Sequence, residues 1–491
     1  MTIPEYYARR TSLFCRIGLD RLLAREQRHL SLILDARLHA NHRVPCESRE
    51  RLALGAGRKD HAERIRNARE IALRLGRDVG ILCDLQGPKI RVEGFAQGPV
   101  ELHDGQPFAL DTALAANAGN DREVGCAYVA LPQDVKPGDT LLLNDGAIAL
   151  RVDAVTGTRV ACTVTQGGTL SNRKGINKLG GGLSAPALTD EDLANIRLAA
   201  QWNADFLAVS FPRTAEDIHM ARGLLKAAGG DAWIVAKIER AEALDNLAAI
   251  IEASDVAMVA RGDLGVEIGE AELPGVQKRI ISLSREPHRA VLTATQMMEP
   301  MIHSPLPTRA ELPALAHAVL DATAAVMLSA DTAAGQYPVR TVEHMVNICT
   351  AAERQHVPER SIGRLDQHFQ RTDEAIAMAT VYTARFMHAD AIVALTESGM
   401  TALQMSRSHG QPPIYALTRN ASTRARMTVC RGIEPVEFAP TNLDTGKPVR
   451  EAIEALVRRG ALRDGQRALV TKGDFNGPGG TNTMKIVTVG E

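Results

Sequence analysis

The sequence predicts an α/β protein built from a (β/α)8 TIM barrel, a small inserted β-barrel-like domain and a C-terminal α/β domain. Three observations support this fold class. The chain has 491 residues, which at roughly 150 residues per domain corresponds to about three domains. Short apolar runs alternate eight times with amphipathic segments, as in a (β/α)8 barrel. The stretch from 92 to 183 breaks this alternation and the stretch after about residue 337 restarts it, and each of them predicts an additional domain.

The barrel strands are predicted from short apolar runs bounded by turn residues. Segments such as ALTDEDLANIRLAAQ and TAEDIHMARGLLKAAG lie between them and have the apolar spacing of amphipathic helices. The predicted strands are Thr11 to Ile17, Leu32 to Leu38, Val79 to Asp84, Asp205 to Phe211, Trp233 to Glu239, Val256 to Arg261, Ala290 to Gln296 and Ala324 to Ser329.

The stretch from 92 to 183 follows the third predicted strand and has a different sequence pattern. It shows short alternating strands, turns rich in Gly, Pro, Asn and Asp, and no convincing long helix. We therefore expect a β-rich lid domain at 92–183 that interrupts the barrel. The barrel would then comprise 1–91 and 184–340, and a C-terminal domain would comprise 341–491.

The C-terminal region alternates helices and strands again, beginning with a predicted helix at 374–387. Its last two predicted strands, RALVTKGD and NTMKIVTVG, follow each other closely and are expected to pair. This pattern predicts a separate α/β sheet domain.

The composition disfavours several classes of function. Lys+Arg (57) and Asp+Glu (58) leave a net charge of −1, and aromatic residues make up 3% of the chain, so neither a basic field nor a base-stacking surface for nucleic acid is expected. No charge-free apolar run reaches the roughly 18 residues that span a bilayer, and the first residues lack a signal-peptide core. We expect a cytoplasmic protein without a membrane partner. The seven cysteines include no C-x-x-C pair, which predicts reduced thiols.

Charged residues interrupt the apolar runs at the carboxyl ends of the barrel strands, where barrels of this kind place their active sites. Lys237 and Glu239 end the fifth strand, and their spacing directs both side chains to one face. Taken alone, this pattern could be a surface ion pair. The sixth strand delivers Gly262 and Asp263, so a second carboxylate follows a glycine that allows backbone N–H groups to approach an anion. Two carboxylates on adjacent strand ends can hold a hard divalent cation.

The neighbouring strand ends carry further polar groups. Thr295 lies at the mouth of the seventh strand, although a lone threonine in a strand is usually only a good β-former. Ser210 lies near the end of the fourth strand and Arg213 follows it, while Asp84 ends the third strand and Arg91 follows it. Together these groups indicate a site for a small, anionic, phosphorylated molecule.

Seven segments carry a specific resemblance to a known family, in the family's order and spacing. They are LCDLQGPKIRV, LSNRKGINKLGG, DFLAVSFPR, IVAKIERAEAL, ASDVAMVARGDLGVEI, TATQMMEPMIHSPLPTRAE and VMLSADTAAGQYP. They resemble pyruvate kinase, a glycolytic phosphotransferase whose barrel also carries an inserted lid and a C-terminal regulatory domain. The resemblance implies transfer of a phosphoryl group from phosphoenolpyruvate to ADP, giving pyruvate and ATP, in a homotetramer.

The resemblance assigns roles to the residues at the barrel mouth. Glu239 and Asp263 would hold one Mg²⁺, and a second Mg²⁺ would enter with ADP. Gly262, Asp263 and Thr295 would position the substrate carboxylate, and Thr295 would lie near the path of the proton delivered to the enolate. Lys237 would stabilise charge on the transferring phosphoryl group.

The resemblance also implies contacts around this centre. Ser210 and Arg213 would bind the substrate, while Arg91 and Lys174 would contact the nucleotide phosphates as the lid closes. Arg37 is the assigned match for the family's substrate-binding arginine.

One departure from the family concerns the monovalent cation. The family usually needs K⁺, and Asp84 matches one of its ligands. Leu85 stands where the family has a ligating threonine, and Lys89 replaces a glutamate. Because an ammonium and K⁺ would repel each other in one site, the resemblance implies a Lys-type bacterial enzyme that does not require K⁺.

A second departure lies in the stretch 19–59, where the family pattern dissolves. The family's arginine could be matched by Arg37 or alternatively by Arg51. The departure leaves open a catalytically impaired, pyruvate-kinase-like paralogue with a regulatory or subunit-interaction role. A metal-dependent lyase acting on phosphoenolpyruvate is a third hypothesis, which Arg91 and Lys174 oppose.

The C-terminal domain contains a predicted effector site at a strand-to-helix turn. Thr396, Ser398, Gly399 and Thr401 could cradle a phosphate there, together with the glycine-rich loop 473–480. A plain helix cap is the alternative. The resemblance implies a phosphorylated allosteric effector, whose identity these residues do not specify.

Overall fold

The part of the chain that the structure describes contains a seven-stranded parallel sheet, and its strands follow each other in chain order. The computed structural model describes residues 36–37, 54–333, 335–355, 369–408, 412–440, 447–473 and 480–491. The strands of this sheet are Ala36–Arg37 (β1), Leu82–Asp84 (β2), Phe206–Val209 (β11), Trp233–Ile238 (β12), Val256–Ala260 (β13), Ala290–Ala294 (β14) and Ala325–Met327 (β15).

This sheet confirms the predicted α/β barrel order for strands two to eight. The predicted first strand, Thr11 to Ile17, lies outside the described residues. Most of these strands are shorter than predicted, and Arg261 begins a helix directly after β13 instead of ending the strand. The first backbone N–H groups of that helix therefore lie at the mouth of the barrel.

Helices cover the outer face of the sheet. Ile196, Ile218, Ile250 and Ile280 on four of these helices pack with alternate residues of the strands in one buried cluster. The helices are Leu54–Arg74 (α1), Asp190–Gln201 (α3), Ala215–Ala227 (α4), Leu247–Ala253 (α5), Arg261–Ile268 (α6), Leu273–Leu283 (α7), Glu311–Leu320 (α8), Ala330–Ala333 (α9) and Pro338–Arg354 (α10), with 3₁₀ turns at Glu242–Leu244 and Glu299–Ile302.

A β-rich unit lies between β2 and β11 in the sequence. Its main sheet has six strands in the order β10-β6-β7-β8-β4-β5, while β3 pairs with β9. Its elements are Val100–Leu102 (β3), Pro107–Asp111 (β4), Glu123–Gly125 (β5), Leu131–Asp134 (α2), Thr140–Leu143 (β6), Ile148–Thr156 (β7), Arg159–Gln166 (β8), Gly168–Leu170 (β9) and Ile176–Lys178 (β10). As expected from the alternating pattern, this stretch contains no long helix, and its apolar residues form a core of their own.

The C-terminal part forms a five-stranded sheet in the order β18-β17-β16-β19-β20. The predicted pairing of the last two strands is confirmed, because β20 runs antiparallel to β19. The elements are Thr372–Phe386 (α11), Ala391–Leu395 (β16), Met400–Ser406 (α12), Ile414–Thr418 (β17), Ala421–Met427 (α13), Ile433–Glu437 (β18), Lys447–Arg458 (α14), Arg467–Gly473 (β19) and Thr481–Thr488 (β20). None of the described helices is both long and apolar enough to cross a membrane.

Candidate active site

The interior of the barrel changes from apolar to charged at the carboxyl ends of the strands. Leu82, Phe206 and Val235 belong to one buried apolar cluster. Because side chains alternate along a strand, residues two or four positions further along these strands face the same side and lead to polar groups. This alternation places Asp84 at the end of β2, Ser210 just after β11 and Lys237 near the end of β12.

The ammonium of Lys237 is the centre of a buried polar cluster. Its Nζ atom lies 3.2 Å from Oδ1 of Asp84 and 3.0 Å from Oε1 of Glu239. It also donates a hydrogen bond of 2.8 Å to Oγ of Ser210. The side chains of Lys237 and Glu239 are 11% and 2% exposed, so this pair is not the surface ion pair that the sequence alone left open.

The charges in this cluster shift each other's protonation. Burial alone would lower the pKa of Lys237, but the carboxylates of Asp84 and Glu239 outweigh burial and raise that pKa above its usual value. Burial raises the pKa of Glu239, Lys237 opposes this shift, and Asp263 and Asp84 add to it. Lys237 is therefore held as a cation, and a further positive charge beside Glu239 would favour the ionised form of this carboxyl group.

Ser210 and Glu239 also fix the turn that follows β11. The hydroxyl of Ser210 donates to the carbonyl of Leu85 at 2.7 Å, and the backbone N–H of Phe211 donates to Oε2 of Glu239 at 2.9 Å. The turn leads to Arg213, whose guanidinium donates to the carbonyl of Ser184 at 3.4 Å. Arg213 thus contacts the segment that returns from the inserted unit.

The helix α6 brings backbone N–H groups and a carboxylate to the same mouth. Gly262 and Asp263 lie in its first turn, where N–H groups without an intrahelical acceptor and the helix dipole favour an anion. The N–H of Gly262 donates to Oγ1 of Thr295 at 2.8 Å. The carboxylate of Asp263 lies 3.0 Å from Nζ of Lys89.

Thr295 has a strained backbone that a buried arginine supports. Its φ angle is +64° and that of Gln296 is +50°, in the left-handed region that a β-branched residue rarely adopts. Nε and Nη2 of Arg261 donate to the carbonyl of Thr295 at 3.2 and 3.0 Å. Arg261 was not among the predicted site residues, and its signal in the sequence is weak because the arginine precedes the motif residues Gly262 and Asp263.

Arg91 and Lys174 lie on the two segments that join the β-rich unit to the barrel. The two segments pair through an isolated bridge between Arg91 and Gly175. The guanidinium of Arg91 donates to the carbonyl of Arg173 at 3.1 Å. Burial lowers the pKa of Arg91, and the carboxylates of Asp145 and Asp263 oppose this effect, so Arg91 lies within electrostatic range of the Asp263 carboxylate.

The predicted substrate arginine lies on the edge strand of the described sheet. Arg37 belongs to β1, where its backbone is paired in parallel register with Asp84. The alternative, Arg51, lies outside the described residues, as does most of the stretch 19–59.

The predicted effector residues form the turn between β16 and α12. Oγ1 of Thr396 accepts the N–H of Gly399 at 2.8 Å, and Oγ of Ser398 accepts the N–H of Met400 at 3.4 Å. The buried hydroxyl of Thr401 lies 2.7 Å from that of Thr481. The hydroxyls of Thr396 and Ser398 thus accept N–H groups of the turn itself. Residues 474–479 of the glycine-rich loop lie outside the described residues.

The donor chemistry at the barrel mouth fits Mg²⁺. Glu239 and Asp263 offer carboxylate oxygens, which this hard cation prefers, together with substrate and water. Within the described ranges, no group of three or more His, Cys, Asp or Glu side chains forms a complete metal site. Asp84, Glu239 and Asp263 provide three carboxylates, and Lys237 and Lys89 provide two ammonium groups. When all five groups are ionised, their net charge is −1, which favours binding of a cation.

Known proteins share both the barrel region and the C-terminal region of this chain. The barrel-domain model of pyruvate kinase matches residues 48–342, and the model of its alpha/beta domain matches residues 374–487. Pyruvate kinase II of Salmonella typhimurium is 52% identical over 438 residues, which cover 88% of this chain and 91% of the relative. A pyruvate kinase of Haemophilus influenzae is 50% identical over 428 residues, covering 86% of this chain and 89% of the relative.

A solved structure agrees with these matches. The crystal structure of a pyruvate kinase from Cryptosporidium parvum superposes with a TM-score of 0.80 at 31% identity, covering 88% of each chain. Members of the family generally need Mg²⁺ and often K⁺, bind phosphoenolpyruvate and ADP, and are usually tetrameric. The resemblance in the motifs is therefore confirmed over both matched regions, and the chain belongs to the pyruvate kinase family of phosphotransferases.

Proposed function

We propose that this chain transfers the phosphoryl group of phosphoenolpyruvate to ADP in a Mg²⁺-dependent reaction that forms pyruvate and ATP in glycolysis. The observation that carries this proposal is the buried ammonium of Lys237, which lies 3.2 Å from Asp84 and 3.0 Å from Glu239 at the barrel mouth. A fixed cation in a site of low solvent access is suited to a reaction that depends on positioning and charge stabilisation.

Different residues at the barrel mouth act on different parts of the substrate. Mg²⁺, when bound by Glu239 and Asp263, supplies positive charge to the oxygens of the substrate. The backbone at the start of α6, at Gly262 and Asp263, positions the substrate carboxylate together with Thr295. Lys237 faces the transferring phosphoryl group and the enolate oxygen, where negative charge develops.

The enolate left by the transfer must gain a proton on its methylene carbon. The hydroxyl of Thr295 donates to the carbonyl of Ala294 at 2.7 Å and accepts from Gly262. This fixed hydroxyl is suited to hold a water that delivers the proton. Ser210 and Arg213 also bind the substrate, and Arg37 is the proposed substrate-binding arginine.

The β-rich unit at 92–183 acts as a lid in this proposal. Arg91 and Lys174, on the two connecting segments, contact the nucleotide phosphates, and a second Mg²⁺ arrives with ADP. Lid closure excludes water and so favours transfer to ADP over hydrolysis. The barrel comprises 1–91 and 184–340, and the C-terminal domain comprises 341–491.

We further propose that the enzyme does not require K⁺, since the ammonium of Lys89 already brings a positive charge to Asp263. A phosphorylated effector binding at Thr396, Ser398, Gly399 and Thr401, a homotetrameric assembly and a cytoplasmic location complete the proposal. These features follow the family pattern.

A coupled assay tests the proposed reaction. The chain is mixed with phosphoenolpyruvate, ADP and Mg²⁺, pyruvate is measured through lactate dehydrogenase, and ATP is measured through hexokinase. Equal amounts of pyruvate and ATP support the proposal. Absence of both products favours the impaired paralogue, and pyruvate without ATP favours a lyase.

A further inference from the structure

The segment that returns from the lid to the barrel contains three consecutive glycines. Gly180, Gly181 and Gly182 have φ angles of +83°, +77° and +96°, a region that glycine adopts without steric cost. A Cβ atom at Gly181 would lie 2.6 Å from Oε2 of Glu242, so a side chain there would meet the neighbouring carboxylate. We call this glycine segment, residues 180–182, the hinge.

A single buried residue of α6 bonds to both sides of this hinge. The carbonyl of Glu267 accepts the N–H of Gly180 at 2.8 Å. Its carboxylate accepts the side-chain amide of Asn177, in lid strand β10, at 3.3 Å and the backbone N–H of Ala241 at 2.9 Å. Glu267 is only 5% exposed. It therefore ties the lid, the hinge and the segment after β12 together.

Two neighbouring side chains hold the same hinge from the barrel side. The carboxylate of Glu242 accepts the N–H of Gly182. The guanidinium of Arg240 donates to the carbonyls of Leu183 and Ala185 at 3.0 and 3.3 Å. The hinge is thus held by side chains that follow β12, the strand that carries Lys237.

Glu267 also connects the hinge to the proposed metal site. It lies four residues after Asp263 on α6, so the two side chains share one face of the helix. Both residues line a cavity of about 20 Å³, together with Lys89, Arg240 and Asn177, which is large enough for about one water molecule. A displacement of the hinge would therefore act on the helix that presents Asp263.

The carboxylate at this position is costly for the fold. Burial raises the pKa of Glu267 to about 7; Glu242 adds to the shift, and the hydrogen bonds from Ala241 and Asn177 and the charge of Arg240 oppose it. An apolar side chain would avoid this desolvation cost. Residues retained against such a cost are often found at functional sites.

We propose that Glu267 is a positioning residue that fixes the hinge of the lid against the helix carrying Asp263, and thereby sets the productive binding of ADP. This inference rests on the proposed function, because the lid brings Arg91 and Lys174 to the nucleotide. Phosphoenolpyruvate is held by the barrel side of the site. We call the contacts of Glu267 with Asn177, Gly180 and Ala241 the clamp. Weakening the clamp should therefore raise the KM for ADP much more than the KM for phosphoenolpyruvate.

The test compares Glu267→Gln with Glu270→Gln, a matched control because Glu270 is exposed just beyond the same helix. Glutamine keeps the size of the side chain and one acceptor oxygen but removes the charge. At pH 8 we expect the KM for ADP to rise about ten-fold, the scale of one lost hydrogen bond to a charged group. The KM for phosphoenolpyruvate and the thermal unfolding temperature should match those of the control.

A second variant approaches the clamp from the lid side. Asn177→Asp places a carboxylate opposite Glu267, so it should raise the KM for ADP as well, and the double variant should show less than the sum of both effects. An unchanged KM for ADP in Glu267→Gln would overturn the proposal. Equal changes in both KM values with a lower unfolding temperature would also overturn it, because they indicate a purely structural role.

A measurement without turnover separates this inference from the proposed reaction. Amide hydrogen exchange at residues 176–182 should be faster in Glu267→Gln than in Glu270→Gln, whether or not the enzyme turns over. If the unmodified chain formed no ATP, the proposed function would be wrong. The exchange rates of the two variants would still test the contacts of Glu267. Equal exchange in the two variants would contradict the clamp itself.

Discussion

Nζ of Lys89 lies 3.0 Å from Oδ1 of Asp263, so a lysine at the entry to the lid neutralises part of a proposed metal-binding carboxylate. Both side chains are partly exposed, at 24% and 22%. Asp84, which matches a K⁺ ligand of the family, is paired with Lys237 instead. The positive charge that replaces K⁺ in this account therefore lies beside Asp263.

The first prediction concerns monovalent cations. With Mg²⁺ alone, in tetramethylammonium buffer, the rate of pyruvate formation should be undiminished relative to buffer with K⁺, because the Lys89 ammonium is part of the chain. Lys89→Glu should lose activity in tetramethylammonium and recover about ten-fold or more with K⁺, since two neighbouring carboxylates then attract a cation.

The control for this prediction is Lys226→Glu, an exposed charge reversal at the end of α4. Its response to K⁺ should equal that of the unmodified enzyme. If K⁺ raised the rate of the unmodified enzyme by about ten-fold or more, the prediction would be wrong, since the ammonium of Lys89 would then not replace the cation.

The second prediction concerns Lys237. Lys237→Met removes the cation at the transferring group, and kcat should fall by about 10²- to 10³-fold, the loss expected for one electrostatic donor in an active site. The same change leaves the buried Asp84 and Glu239 without their ammonium, so the thermal unfolding temperature should fall as well.

A substitution that keeps the charge separates catalysis from folding. Lys237→Arg retains the cation for Asp84 and Glu239 but changes its shape, so the unfolding temperature should be largely kept while kcat remains low. Circular dichroism and the coupled assay measure the two quantities. A kcat for Lys237→Met within a few-fold of the unmodified enzyme would rule out the role assigned to this residue.

The third prediction concerns Mg²⁺. Glu239→Gln keeps an oxygen that can accept the N–H of Phe211 but removes one carboxylate charge, so the Mg²⁺ concentration for half-maximal rate should rise about ten-fold or more. Glu216→Gln, an exposed change in the first turn of α4, should leave it unchanged. If both variants respond to Mg²⁺ alike, Glu239 is not a ligand.

The fourth prediction concerns the buried cysteines. Burial raises the pKa of Cys126 to about 11 and the pKa values of Cys162 and Cys430 to about 12. Since only the thiolate reacts, these residues should resist alkylation by iodoacetamide in the folded protein at pH 8 and react after unfolding. Mass spectrometry of the peptides checks this, and rapid labelling of Cys162 before unfolding would contradict the burial.

Much of the site was predictable because the sequence carries it in local patterns. The spacing of Lys237 and Glu239 directs both side chains to one face, and the structure brings the two charges within 3.0 Å. The strand order then brings Asp84 and Ser210 beside them, since the carboxyl ends of parallel strands meet at one edge. Periodicity and strand order are thus sufficient for this part.

The remaining contacts join segments that are distant in the sequence. Asn177 and Glu267 are 90 positions apart, and Lys89 and Asp263 are 174 positions apart. No local periodicity specifies such pairs, because they depend on how the lid returns to the barrel. The support of Thr295 by Arg261 was missed for the same reason, since it depends on the conformation of a turn and on a contact between neighbouring strands.

Phosphorus NMR of a single reaction mixture tests the central claim most directly. The mixture contains the purified chain, phosphoenolpyruvate, ADP and Mg²⁺ in tetramethylammonium buffer. We expect the phosphoenolpyruvate signal to be replaced, in equal amount, by the γ-phosphate signal of ATP. A persistent phosphoenolpyruvate signal, or its replacement by inorganic phosphate, would contradict the account.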